Sequence, residues 1–259
     1  MTQSSKLLYG TACALILSGA ASAQTYVSGS AGFNFQNDSD NAGALTRDFA
    51  TGDGVAVPPG TVLPASTDIA WTTEFETGSF LAGALGYRYN EAWRAELEIS
   101  RTTADVDTHM DVTAGGGAIG AADAAVLITG SAPLGVTVAD LVADGQGDIT
   151  TTAYAVNGYY DFTVQDLPVG FYAGLGVGLA EVKVDYSPSG VAVIDDTEMV
   201  SLFQVMLGGT YPVSDTMEAF GGYRYRMTGD AETNSVLFPT SLDVENNSHV
   251  IEAGVRFYF

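Results

Sequence analysis

The sequence predicts an all-β protein, an eight-stranded antiparallel transmembrane β-barrel with short periplasmic turns and long extracellular loops. Three observations lead there. The terminal run from His249 to Phe259 alternates, with Ile251, Ala253, Val255, Phe257 and Phe259 on one face and Glu252, Gly254, Arg256 and Tyr258 on the other, since successive strand side chains point to opposite sides. The same alternation recurs about eight times along the chain. The chain is 46% hydrophobic with 31 glycines, yet after its N-terminus it has no run of ~18 apolar residues that would cross a bilayer as a helix. In lipid, a closed barrel is the other way to pair every backbone group internally.

The N-terminus reads as an export signal. Lys6 precedes the apolar run Leu7 to Ala20, and Ala21-Ser22-Ala23 supplies small residues before Gln24. Residues 1–23 are therefore expected to be a cleaved signal peptide, and residues 24–259 the barrel domain. The one cysteine, Cys13, falls in the removed segment, and Gly10-Thr11-Ala12 before it does not fit a lipoprotein processing site. No disulfide, thiol chemistry or lipid anchor is expected of the mature chain. Nine basic residues face 31 acidic ones, a formal charge of −22, and loss of Lys6 makes it more negative. Nucleic acid is excluded as a partner, because binding phosphates needs clustered Lys and Arg.

In chain order, the candidate strands are 24–35, 73–89, 92–104, 150–162, 169–182, 199–211, 217–229 and 247–259. Each is about as long as a tilted spanning strand, ~9–11 residues, or somewhat longer. Their even number fits a bacterial outer-membrane barrel. Short turns at 90–91, 163–168 and 212–216 alternate with long connections at 36–72, 105–149, 183–198 and 230–246. A soluble sandwich, the alternative for such strands, has no reason for that asymmetry, whereas outer-membrane barrels have it.

The expected lipid face follows by parity. It takes Val27, Ala31, Phe33 and Phe35 from the first strand, Leu81, Leu85, Tyr87 and Tyr89 from the second, and Trp93, Ala95, Leu97 and Ile99 from the third. Val156, Tyr160 and Phe162, then Phe171, Leu175, Val177 and Leu179, continue it, followed by Phe203, Val205, Leu207 and Tyr211 and by Ala219, Tyr223, Tyr225 and Met227. Aromatic residues gather toward the short-turn rim, as in an interfacial girdle.

The other parity carries charge. Arg88, Arg94, Arg224, Arg226 and Arg256 fall in the inward register with Glu96, Glu98, Asp161, Glu218 and Glu252. Five positive charges meet five negative ones, which is the tolerated form of buried charge. Gly174, Gly176 and Gly178 share that register and leave room for long side chains. Eight strands enclose only enough space for side chains to fill, so the expectation is a polar plug rather than an open channel.

Gly222-Tyr223-Arg224-Tyr225, Asn157-Gly158-Tyr159-Tyr160-Asp161-Phe162, Tyr172-Ala173-Gly174-Leu175-Gly176-Val177-Gly178 and the terminal Gly254-Val255-Arg256-Phe257-Tyr258-Phe259 together resemble the eight-stranded outer-membrane barrel family. That family takes in opacity proteins, alphaproteobacterial surface antigens, the transmembrane domain of OmpA and related porin-family barrels. The resemblance implies that Val255, Phe257 and Phe259 form the signal read by the barrel-assembly machinery, and that Arg94, Glu96, Glu98 and Arg224 belong to an interior charge cluster. The chain departs from full OmpA in having no peptidoglycan-binding domain after Phe259, so cell-wall tethering is not expected.

The long connections hold most of the acids. Asp185, Asp195, Asp196 and Glu198, or Asp105, Asp107 and Asp111, invite a cation reading, but the spacing fits no calcium loop. The glycines at 115–117 lack the Lys and the strand-to-helix context of a phosphate loop, and the apolar stretches Ala121–Leu127 and Leu141–Val142 leave room for a short helix in a flexible loop. Lipid-modifying barrels need a histidine beside a serine and an acid. His109 sits in an anionic loop, and Ser248 and Glu252 point away from His249. No enzymatic activity, cofactor or metal is expected. The expected function is structural and interactive, as a surface antigen or adhesin in the Gram-negative outer membrane: a monomer surrounded by outer-membrane lipid, with an unidentified extracellular or host partner. The alternative is a porin-like channel for small solutes or cations.

Overall fold

The computed structural model describes residues 24–50, 62–125 and 133–259. The expected signal peptide, its cleavage site, and residues 126 and 127 of the second long connection lie outside them. Fifteen strands form among the described residues: β1 (Gln24–Gln36), β2 (Ser39–Leu45), β3 (Phe49–Ala50), β4 (Val62–Leu63), β5 (Asp68–Phe75), β6 (Gly78–Arg88), β7 (Trp93–Ala114), β8 (Gly117–Ala118), β9 (Gly147–Thr163), β10 (Gly170–Tyr186), β11 (Ile194–Ser214), β12 (Met217–Thr228), β13 (Ala231–Asn234), β14 (Thr240–Val244) and β15 (Ser248–Tyr258). A five-residue helix, α1 (Val138–Val142), starts at a capping box in which Thr137 Oγ1 accepts from Asp140 N–H and Asp140 Oδ2 accepts from Thr137 N–H.

Eight strands pair antiparallel in a cycle, β1–β6–β7–β9–β10–β11–β12–β15 and back to β1. The last pairing sets Val27 opposite Phe257 and Phe33 opposite Ile251. Above this lower ring, β2, β5, β13 and β14 take over the positions of β1, β6, β12 and β15: β14 pairs β2, β2 pairs β5, and β5 pairs the upper half of β7. The upper circuit reaches β11 through a bridge between Ile194 and Ser235 and through Val236 N–H donating to Val193 O.

Among the described residues the four long connections are built largely of strand, which corrects the expectation of eight strands joined by coil. The expected strand 73–89 is two, parted at residues 76–77, and β7, β9, β10 and β11 run well past the expected ends. The physical reason is an inversion of polarity partway up the long strands, as β7 and β10 show. On β7 the inward residues pass from Arg94, Glu96 and Glu98 to Ala104 and Val106, all buried, while the outward ones pass from exposed Leu97 and Ile99 to exposed Arg101, Asp105 and Asp107. On β10 the outward Leu175, Val177 and Leu179 give way to Glu181, Lys183 and Asp185, and the inward glycines give way to Ala180, Val182, Val184 and Tyr186. Pairing sets Arg101 opposite Thr152 and Thr152 opposite Glu181, so the switch lies at one level.

Below that level the outer wall is apolar. Leu81, Leu97, Val156, Leu175, Val177, Leu207 and Ile251 are each more than half exposed. Trp93, Tyr160, Phe162 and Phe171 form a continuous aromatic row at its lower edge, with ring centroids 5.1–6.2 Å apart. Above it, the crown closes over its own core of Trp71, Val106, Ile149, Val182, Val184, Tyr186, Ile194, Leu242 and Val244. The outer wall of the crown is acidic, and Asp105, Asp148, Asp185 and Asp195 stand side by side on four adjacent strands.

His109, expected in a loop, projects from β7 into that core and is only 4% exposed. Burial pushes its imidazole down to about 4, against the opposing pull of Asp144. Its unfolded value is ~6.5, so the unfolded chain takes up a proton between the two values that the folded crown refuses. Crown stability is thus complete above pH ~6.5 and falls by ~3 kcal/mol on acidification to pH ~4. Limited proteolysis of the folded protein from pH 7 to 4 should show crown cleavage rising through this window, and His109→Phe should abolish the rise.

Candidate functional site

The lower ring encloses the charged residues that parity placed inward. Asp161 accepts from Arg88 Nη2 at 3.2 Å and from Arg94 Nε at 3.0 Å. Arg94 Nη1 reaches Glu96 Oε1 at 2.8 Å, Arg256 Nε lies 3.8 Å from the same oxygen, and Arg256 Nη1 meets Glu218 Oε1 at 2.7 Å. Glu218 Oε2 returns to Arg88 at 3.7 Å. These six side chains, from β6, β7, β9, β12 and β15, make a closed ring of alternating sign at the short-turn end. One level up, Arg224 bridges Glu98 and Glu252, with Nη2 2.9 Å from Glu252 Oε1.

Arg226 stands apart. It is 2% exposed, donates from Nη1 to Thr102 Oγ1 at 3.2 Å, and has no ion pair among the described residues. Its Nε and Nη2 also lack hydrogen-bond partners there. Still, the bookkeeping of sign closes by level. The lower ring holds three Arg and three carboxylates, the triad has one carboxylate in excess, and Arg226 supplies the fifth positive charge.

Uncharged side chains that the sequence reading left out complete the packing. Tyr26 donates to Glu96 Oε1 at 2.7 Å and accepts from Arg94 Nη1 at 3.1 Å. Ser30 donates to Glu252 Oε2, Asn157 donates to Glu98 Oε2, and Gln204 joins Asn157 to Arg224. The Arg94 guanidinium lies 3.6 Å over the Tyr159 ring and that of Arg256 4.1 Å over Phe220, within cation–π range. These residues share the inward parity of the charged ones, and that parity was the available signal. Gly174 and Gly176 are required by close approach: a Cβ at either would collide with Tyr159 or with Asn157. Apart from Arg226, each buried guanidinium and carboxylate of the cluster is thereby held by several partners, the condition under which buried charge is tolerated. The cavity left among them measures about 10 Å³.

Val255, Phe257 and Phe259 point outward on and just beyond β15, at 38%, 45% and 72% exposure. His249 also faces outward, with Nδ1 2.6 Å from the Tyr223 hydroxyl and its ring against Tyr225, whereas Ser248 and Glu252 are buried on the inner side. These three are therefore divided by the wall. Among the described residues no group of three His, Cys, Asp or Glu side chains is placed to hold a metal. No helix there is long and apolar enough to cross a membrane.

A family model described as "Surface antigen" matches residues 53–259. Among solved structures, Neisserial surface protein A (NspA) is 19% identical with a TM-score of 0.45, over 92% of this chain and 100% of that one. Ail, the attachment invasion locus protein of Yersinia pestis, is 14% identical with a TM-score of 0.34, over 90% and 99%. The outer membrane protease OmpT of Escherichia coli is 7% identical with a TM-score of 0.40, over 90% and 97%. No curated protein matches.

Proposed function

The chain belongs to the surface antigen family, and from that premise we propose that it is an eight-stranded, charge-plugged barrel of the Gram-negative outer membrane that holds an acidic crown at the cell surface to contact an extracellular or host partner. The observation that carries this reading is the polarity inversion at one level of the wall. A strand that is greasy outside and charged inside, then the reverse, has two different solvents along its length. From Phe171 to Glu181 is ten residues, ~33 Å along a strand, or ~25 Å of height at the usual tilt, which is the apolar band of such barrels. The lower end with short turns then faces the periplasm.

The same reading assigns residues 1–23 to a cleaved export signal and Val255, Phe257 and Phe259 to recognition by the barrel-assembly machinery, and takes the protein as a monomer in outer-membrane lipid. It gives the protein a binding rather than a catalytic role, supported by the separation of His249 from Ser248 and Glu252. The ion-pair ring and triad support a plug over a pore. In planar bilayers the folded protein should show no stable single-channel steps, and steady conductance would overturn the plug. Protease added to intact cells should cut only in the crown, and cleavage in the short turns would overturn the orientation.

A further inference from the structure

Above the plug, the crown encloses a second space with different chemistry. A chamber of about 300 Å³ is walled by Ile69, Val112, Leu141, Val193 and Phe238 with other apolar residues, and among the described residues that line it none is an acid, a lysine or an arginine. Its size is at the small end of ligand pockets, ~300–1,000 Å³. Three lining side chains carry polar atoms: Trp71, His109 and Tyr186.

The hydrogen-bond pattern fixes which ring nitrogen of His109 carries the proton. Thr73 Oγ1 accepts from Asn41 Nδ2 at 2.8 Å and from Trp71 Nε1 at 3.2 Å, which fills both of its lone pairs. The Thr73 hydroxyl hydrogen is left to donate to His109 Nδ1, 2.8 Å away. A neutral imidazole that accepts at Nδ1 carries its proton at Nε2. That Nε2–H is buried and has no hydrogen-bond partner among the described residues. The Tyr186 ring stands edge-on to the imidazole with centroids 4.9 Å apart, and its hydroxyl, turned toward Thr73 and Ser39, is in hydrogen-bonding geometry with no described atom. An orphan donor in a dry wall is costly unless something accepts from it.

We propose that the chamber binds a small, neutral, apolar molecule bearing one oxygen acceptor, an aliphatic ketone, ester or alcohol, with the oxygen on His109 Nε2–H and the hydrocarbon against Ile69, Val112, Val193 and Phe238. A carboxylate is disfavoured, because the wall offers it no cation and a chain of net charge −22 repels it. The inference goes beyond the surface role above and stands whether or not the barrel below conducts.

The test uses the mature chain folded in lipid nanodiscs, with Trp93→Phe leaving Trp71 as the one tryptophan. Titration with 2-undecanone should give a saturable change in Trp71 fluorescence, and undecane should bind about tenfold more weakly, the value of one good hydrogen bond. His109→Phe should weaken the ketone about tenfold and leave undecane unchanged. Absence of saturation, equal affinity for the two, or indifference to His109→Phe would overturn the proposal. Should His109→Phe fail to fold, Val193→Phe keeps the donor and fills the space; it should abolish saturable binding, and its retention would overturn the proposal. Native mass spectrometry separates the two sources of an acceptor. A lipid retained on the protein as purified points to a membrane ester, and an empty protein that takes up the ketone points to a free small molecule.

Discussion

Arg224→Met should destabilise the folded protein by ~3–5 kcal/mol, the cost of leaving buried charge without its partner. The side chain is 2% exposed and bridges Glu98 and Glu252, which are 6% and 5% exposed. Without it two buried carboxylates remain in one narrow interior, and Gln204 loses a donor as well. Urea unfolding in detergent micelles, followed by heat-modifiable migration, reads the loss as a lower midpoint. Arg226→Met is the comparison, since it removes an equally buried guanidinium that makes no ion pair among the described residues. It should cost far less than Arg224→Met. Equal midpoints for the two variants would mean that direct pairing does not set the energetics of the interior.

The second large effect belongs to the outer wall. Leu97 pairs with Val156 midway between the Trp93–Tyr160 pair and the Arg101–Thr152 pair, and it is 56% exposed. Leu97→Arg should cost ~2–4 kcal/mol, the penalty for a cation at the bilayer midplane on a barrel's lipid face. Asp107→Arg, on the same strand but above the polarity switch, should change stability by less than ~0.5 kcal/mol, as for an ordinary surface position. Refolding yield and urea midpoint in phospholipid vesicles check both. If Leu97→Arg is as harmless as Asp107→Arg, the apolar belt is not in lipid.

The lower ring was legible because its alternation is long and of one sense. The run from Ile251 to Phe259 can only place Glu252 and Arg256 opposite Ile251 and Val255, and parity alone sets the same division on β7. The crown was not legible, because its strands use the opposite sense. Asp105, Asp107, Lys183 and Asp185 interrupt the apolar outer stripe and read as loop to an eye following that stripe, although Val182, Val184 and Tyr186 keep period two on the other face. Breaks at residues 76–77 and 229–230 hide strands that continue after a kink. In the interior, parity selected the charged residues but not who meets whom, since partners such as Glu98 and Arg224 lie 126 residues apart and depend on the stagger of the whole ring. It also passed over Tyr26, Asn157 and Gln204, polar residues without charge. The inward turn of His109 depends on a bulge in the β5–β7 pairing near residues 74–75, which no local pattern announces.

The alternating ring of Arg88, Asp161, Arg94, Glu96, Arg256 and Glu218 joins residues of β6 and β7 to residues of β12 and β15 across the β1 seam, so it is complete only when β15 has zipped onto β1. Until then Arg88 waits for Glu218, Glu96 waits for Arg256, and Glu98 waits for Arg224. Contacts this remote in sequence make for slow maturation, and a half-zipped sheet exposes raw ionic groups that shun hydrocarbon. Closing the last seam is therefore the committing event. Once made, it has to be undone in several places together, so the finished protein is expected to persist by the height of its unfolding barrier.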